Sequence, residues 1–178
     1  MPTYVAFLRA INLGPTRKFP KGDIVSAVEA AGGTDVATYI NTGNVRFTTT
    51  LRSRPKIEAV LEGAFEADRG FAVPTIVFTR AEICAIADDA DELGDGHDGR
   101  HYVSLLKQAP TAAGTATIES SGNADERAFV RDRAVHILLG GNYHEAGLDN
   151  AAVEKALGVA TNRNVTVIRA IADRWCDR

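Results

Sequence analysis

Three short segments bring together residue types that bind anions. Arg9, Asn12, Gly14, Arg17 and Lys18 follow a first strand-like run, Thr42-Gly43-Asn44 follows a second, and Arg163-Asn164 lies far down the chain. A guanidinium can hold a carboxylate or phosphate through parallel hydrogen bonds, and an ammonium supplies a compact point charge. Glycine lets backbone N–H groups approach a ligand closely. Arg9 and Lys18 are therefore the candidates for neutralising charge, Asn12 and Asn44 for orienting a ligand or fixing the loops, and Gly43 for close approach. The same residue types also serve structure alone. Gly14 and Gly43 can make turns, Asn12 and Asn44 can cap them, and Arg17 and Lys18 can be solvated surface charges.

One site requires elements that bring these segments to one place. Residues 3 to 8 read as a strand, and Ile24, Val25, Val28 and Ala31 recur at helical spacing before Gly32-Gly33 ends the helix. Val36 to Ile40 and Val45 to Thr49 are β-branched and aromatic runs separated by Asn41-Thr42-Gly43-Asn44, the composition of a hairpin turn. Ser53 and Pro55 open a second helix, with Ile57, Val60, Leu61, Ala64 and Phe65 along one stripe, and it runs out at Gly70 before strand-like Phe71 to Phe78. The order over residues 3 to 78 is β-α-β-β-α-β, the ferredoxin-like unit. Its first and second strands run parallel, so the end of the first strand and the hairpin after the second share one edge. That edge carries Arg9, Asn12, Gly14, Lys18, Thr42, Gly43 and Asn44.

Thr79-Arg80-Ala81-Glu82 has the form of a capping box, and Ile83, Ile86, Ala87 and Ala90 continue at helical spacing. Beyond it the sequence predicts strands at 101 to 106, near 128 to 131 and at 134 to 139, a weak Ala/Thr-rich segment at 111 to 118, and helices at about 150 to 157 and 163 to 175. The expected fold class is α+β, with two ferredoxin-like modules, residues 1 to 79 and a degenerate second at 80 to 178, packed into one body. In the first strand both alternating sets, Tyr4, Ala6 and Leu8 against Val5 and Phe7, are apolar, so both faces of its sheet should be covered. In the C-terminal helix, Thr161 or Asn162 is expected to cap the first turn and Arg163 to reach the N-terminal edge.

Several chemistries lack their signatures. Gly94 to Gly99 spells G-x-G-x-x-G, but it follows a helix and leads into a strand, the reverse of a dinucleotide site. The acidic run from Asp88 to Asp98 has Arg100 where a calcium loop needs its bidentate glutamate. No phosphate-cradle, zinc-protease or nucleophile-elbow motif occurs. His136 reads as a hydrogen-bonded structural imidazole, and His144 beside Glu145, in a Gly-rich loop, is the one histidine to watch as a proton carrier. A net charge of -3 opposes a general nucleic-acid binder, and no apolar run is long enough to span a bilayer. The sequence thus predicts a cytoplasmic protein with no cofactor, no metal and no membrane partner. Cys84 and Cys176 have no C-x-x-C partner and are expected as thiols, not as a disulfide or zinc site.

Arg9-Ala10-Ile11-Asn12-Leu13-Gly14 followed by Lys18, then Thr38-Tyr39-Ile40-Asn41-Thr42-Gly43-Asn44-Val45, and finally Thr161-Asn162-Arg163-Asn164, occur in order along nearly the whole chain. They resemble the signature segments of the bacterial family called domain of unknown function 1697. The resemblance implies two ferredoxin-like modules with no established activity, and it puts weight on Arg9, Asn12, Gly14, Lys18, Tyr39, Gly43, Asn44, Arg163 and Asn164. Ala10 and Pro15 stand where that family usually has glycines, Thr42 replaces a serine, and Val165 replaces a tryptophan. Gly147-Leu148-Asp149-Asn150 stands where a Ser-Lys pair is usual, so no role is assigned to that lysine here. The expected function is binding of an anionic ligand, phosphorylated or nucleotide-like, at the N-terminal edge. The alternative is an interaction or homo-oligomeric module. An enzyme would need an acid, base or nucleophile, and the sequence marks none.

Overall fold

The computed structural model describes residues 1–141 and 143–176, which divide into two units, Met1–Glu82 and Ile83–Arg178. The first runs β1 (Thr3–Leu8), α1 (Lys21–Ala30), β2 (Thr34–Tyr39), β3 (Asn44–Thr48), α2 (Arg54–Arg69), β4 (Thr75–Thr79). Its sheet has the order β2-β3-β1-β4 with every neighbouring pair antiparallel, the ferredoxin-like arrangement. Local chemistry sets the helix limits. Pro55 sits in the first turn of α2, where a missing N–H costs nothing, and Gly70 closes it at φ 73° with its amide on Glu66 O. Ile24, Val28, Ile57, Leu61 and Phe65 pack against Tyr4, Ala6, Leu8, Val45 and Phe47. Complete burial of each such side chain contributes about 1.5–3 kcal/mol. Val5, Phe7, Ile76 and Phe78, on the other face, are buried as well, which agrees with the apolar alternation of β1. Edge strand β4 is closed from α2: Glu58 accepts from Val77 N at 2.9 Å and Glu62 from Thr75 N at 2.7 Å.

The second unit repeats the plan as β5 (Arg100–Leu106), α4 (Ala112–Ser120), β6 (Glu126–Arg131), β7 (Ala134–Leu139), α5 (Asn150–Leu157) and β8 (Ala160–Asn164), in sheet order β6-β7-β5-β8. The Ala/Thr-rich segment is thus a full helix of the repeat. Tyr4-Val5-Ala6-Phe7-Leu8 and Tyr102-Val103-Ser104-Leu105-Leu106 hold equivalent places. Leu8 N donates to Gly43 O and Leu106 N to Arg133 O, both at 2.8 Å, while Arg9 N donates to Pro74 O and Lys107 N to Val159 O, both at 2.9 Å. Each final strand also ends on the residue that caps the next helix. Thr79 Oγ1 accepts from Glu82 N and the Glu82 carboxylate from Thr79 N, a reciprocal box opening α3 (Arg80–Gly94). Asn164 Oδ1 accepts from Thr166 N at 2.9 Å and opens α6 (Val165–Trp175).

Two expectations are corrected. Residues 160 to 164 form β8 and the helix begins at Val165, so Arg163 lies in a strand, and the cap is Asn164, not Thr161 or Asn162. Pairing with β5, which sets Tyr102 opposite Asn164 and Leu106 opposite Ala160, decides this. Cys84 and Cys176 form a disulfide, with Cα atoms 6.1 Å apart across 92 residues of sequence. Early α3 and the end of α6 bring them together, a proximity that chain spacing does not reveal.

Candidate functional site

The β1–α1 loop and the β2–β3 hairpin meet at one edge of the first sheet, and polar side chains tie them together. Asn12 donates from Nδ2 to Phe19 O at 3.2 Å and Asn41 O at 2.7 Å, and accepts on Oδ1 from Phe19 N at 2.8 Å. Phe19 is fully buried and meets Phe65 edge to face, so Asn12 fastens the loop to an anchored residue. Arg17 donates to Ala10 O and Ala72 O and lies 4.5 Å over the Phe71 ring. Asn44 is 0% exposed and donates to Tyr39 O and Thr42 Oγ1, both at 2.9 Å. A Cβ on Gly43 would lie 2.7 Å from Leu8 Cβ, so this glycine is fixed by close packing as well as by its φ of 77°.

The backbone here is unusual. Ala10, Asn12 and Ile40 have φ of 56°, 54° and 50°, and Gly14 and Gly43 are left-handed too. Such conformations cost about 1–2 kcal/mol for a residue with a Cβ and persist where the surroundings over-determine them. Ala10 occupies a position where glycine would suit the geometry.

Between these loops and the start of α1 is an open groove of about 450 Å³ lined by Asn12, Gly14, Lys18, Pro20, Lys21 and Asn41. Lys18 and Lys21 are exposed. Pro20 occupies the N-cap of α1 and no side chain caps the helix, so its first-turn amides carry the positive end of the helix dipole uncovered. The nearby carboxylate of Asp23 is turned into an ion pair with Arg69 at 3.0 Å. Of the predicted residues, Asn12, Gly14 and Lys18 line the groove. Arg9 is half-buried at the end of β1, and Thr42, Gly43 and Asn44 build the hairpin behind it. Sequence reasoning missed Lys21; its signal was Pro20, a residue suited to opening a helix, immediately before it.

Arg163 and Asn164 belong to the second unit. Arg163 is 7% exposed, and Nη1 donates to Thr161 Oγ1 at 2.9 Å and Asn162 O at 2.8 Å. Burial lowers its pKa to about 10, which leaves it charged at neutral pH. His136 does lie buried in β7, paired with His101 of β5 at 3.2 Å. His144 and Glu145 are exposed in a 3-10 turn at Tyr143–Glu145. Nearby, Glu126 accepts from Leu148 N and Gly147 N, bonds that hold its carboxyl below the usual range and make it a loop strut. Among the described residues no group of three or more His, Cys, Asp or Glu is placed to hold a metal, and no helix is long and apolar enough to cross a membrane.

No curated protein matches this sequence. Over 98% of both chains the fold is similar to that of conserved bacterial protein SP0830 from Streptococcus pneumoniae, with a TM-score of 0.75 and 18% identity, a likeness of fold alone. Residues 1–136, which include both loops of the groove, match the family described as protein of unknown function (DUF1697), and the chain belongs to that family.

Proposed function

We propose that the chain binds an anionic small molecule, a phosphorylated or nucleotide-like metabolite, in the groove at the start of α1. The observation that carries this reading is the convergence of Lys18, Lys21 and an uncapped helix N-terminus on one groove with no carboxylate in its lining. Helix amides and ammonium groups attract the same charge, and a phosphate meets both. The left-handed backbone at Ala10, Asn12 and Ile40 supports it, because strain of this kind is retained where a loop must hold a set shape. The lining holds lysines and amides but no imidazole, thiol or carboxylate, which favours binding over reaction.

A thermal-shift series with inorganic phosphate, nucleotides and phosphorylated sugars tests this. A ligand at 100 times its Kd adds about 2.7 kcal/mol of stability. Lys18→Ala/Lys21→Ala should keep the fold and abolish the shift; an unchanged shift in that variant, or no shift by any member, refutes the reading. A second reading, an interaction module, is favoured by Leu13, 65% exposed at the tip of the same loop. Under it, Leu13→Ser would lower self-association in a concentration series on gel filtration and the phosphorylated compounds would have no effect.

A further inference from the structure

The disulfide joins early α3 to the end of α6, so it closes residues 84 to 176, almost all of the second unit, into one covalent loop. It does so away from the apolar core between α4, α5 and the sheet. The cluster formed by Leu106, Ile118, Val135, Ile137, Val153 and Leu157 contains no residue of α3 or α6. Helix α6 is held in addition by its own buried stripe, Val165, Ile168, Ile171, Ala172 and Trp175, and by an exposed ion pair from Arg169 to Asp91 of α3 at 2.7 Å. Breaking the bond therefore removes the covalent tie at the end of α6 and leaves that cluster untouched, with the stripe on α6 still in place. Cys84 is partly exposed, whereas Cys176 is 8% exposed, so Cys84 is the more open of the two residues to an incoming thiolate.

We propose that Cys84 and Cys176 are a reversible thiol–disulfide couple whose state sets the stability of the second unit and the anchorage of the α6 C-terminus. Disulfides persist in oxidising surroundings and are reduced where thiol buffers prevail, so the pair responds to the redox state around it. In the reductive direction, one thiolate of a dithiol attacks Cys84 Sγ, the Sγ–Sγ bond breaks, and Cys176 leaves as a thiolate and takes a proton. The second thiolate of the dithiol attacks the mixed disulfide and releases Cys84. The dithiol becomes a cyclic disulfide, and the pair has gained two electrons and two protons. Glutathione disulfide reverses the change and leaves as two glutathiones.

Native protein treated with dithiothreitol and then alkylated without denaturant tests the proposal, read by intact mass, melting temperature and the emission of Trp175, the one tryptophan and the neighbour of Cys176. Both cysteines should become labelled only after reduction. Loss of a loop of this length should lower the melting temperature of the chain by about 10–20 °C, with a change in Trp175 emission. Glutathione disulfide should restore both readings, and Cys84→Ser/Cys176→Ser should show no response to either reagent. The proposal is overturned if both cysteines label after exposure to glutathione disulfide alone, if reduction needs denaturant, or if reduction leaves the melting temperature unchanged.

Discussion

Acidification should destabilise this protein through one pair of rings. His101 and His136 are 5% and 0% exposed, with Nε2 of the first 3.2 Å from Nδ1 of the second. One of these nitrogens must donate and the other accept. The outer nitrogens, His101 Nδ1 and His136 Nε2, have no hydrogen-bond partner among the described residues, so an added proton would be buried without an acceptor. Desolvation is the main cause that lowers His101 to about 4, with Arg169 and His97 adding to it and Asp91 opposing. Desolvation likewise lowers His136 to about 3, with His101 and Arg131 adding. In the unfolded chain both titrate near pH 6.5. The unfolded state therefore binds more protons between that pH and the folded values, and the contribution, complete above about pH 6.5, is lost as pH falls. One pH unit below 6.5 the loss is about 1.4 kcal/mol per ring, about 3 kcal/mol for the pair, and it depends little on the folded values once they lie well below 5.5. At about 2–4 °C per kcal/mol for a chain of this size, the melting temperature should fall by roughly 6–12 °C between pH 7.5 and 5.5. Urea unfolding at the two pH values, for the wild type and for His101→Gln/His136→Gln, measures this as a difference of slopes rather than of baselines. Desolvation raises Asp89, which acts in the opposite direction but is common to both proteins and cancels. Equal acid sensitivity in the two proteins would refute the argument.

Other outcomes follow from the loops and from the second unit. Ala10→Gly should stabilise by about 0.5–1 kcal/mol, since relief of a left-handed alanine exceeds the added freedom of the unfolded chain; an unchanged or lower urea midpoint contradicts it. Gly43→Ala should cost about 2–4 kcal/mol, because the new Cβ meets Leu8 Cβ and Ile11 Cδ1 at 2.7 and 2.8 Å, and the same titration reads it. Asn12→Ala should cost about 0.5–1.5 kcal/mol with no ligand present, by leaving Phe19 N and Asn41 O without their side-chain partner. Glu126→Gln should speed amide hydrogen exchange at Gly147 and Leu148, whose N–H groups the carboxylate holds, while the core amides of β7 stay protected.

What could be read in the sequence was what local chemistry settles. The capping box at Thr79, Pro55 with Gly70 around α2, and the Asn41–Asn44 turn each carry their signal within a few residues, and each is in place. What could not be read depends on distant partners. Ala160-Thr161-Asn162-Arg163-Asn164 shows no apolar alternation and is a strand because β5 lies beside it. The disulfide depends on where α6 ends against α3. The candidate site falls between the two cases. Arg9, Asn12, Gly14, Lys18 and the hairpin do gather at one edge, but whether a polar side chain there is a ligand or a strut depends on acceptors such as Asn41 O and Ala72 O, far away in sequence.

Counting donors divides these roles. The amide of Asn12 has two N–H groups, and both are used on backbone carbonyls, so it has none left for an anion. Arg17 directs Nε and Nη2 at carbonyls and lies over the Phe71 ring, and Asn44 is wholly buried. These side chains hold the loops in a strained shape that the chain would otherwise leave. The cationic groups that line the groove are Lys18 and Lys21, beside the uncapped start of α1, and the attraction of such charges for an anion weakens as salt rises. On the proposed reading, substitutions thus separate by what they change. Asn12, Arg17, Gly43 and Asn44 variants lose stability with or without a ligand, whereas Lys18 and Lys21 variants lose only a salt-sensitive binding. A motif lysine whose removal lowered stability in the absence of ligand would place it among the struts and leave the helix amides as the whole of the anion site.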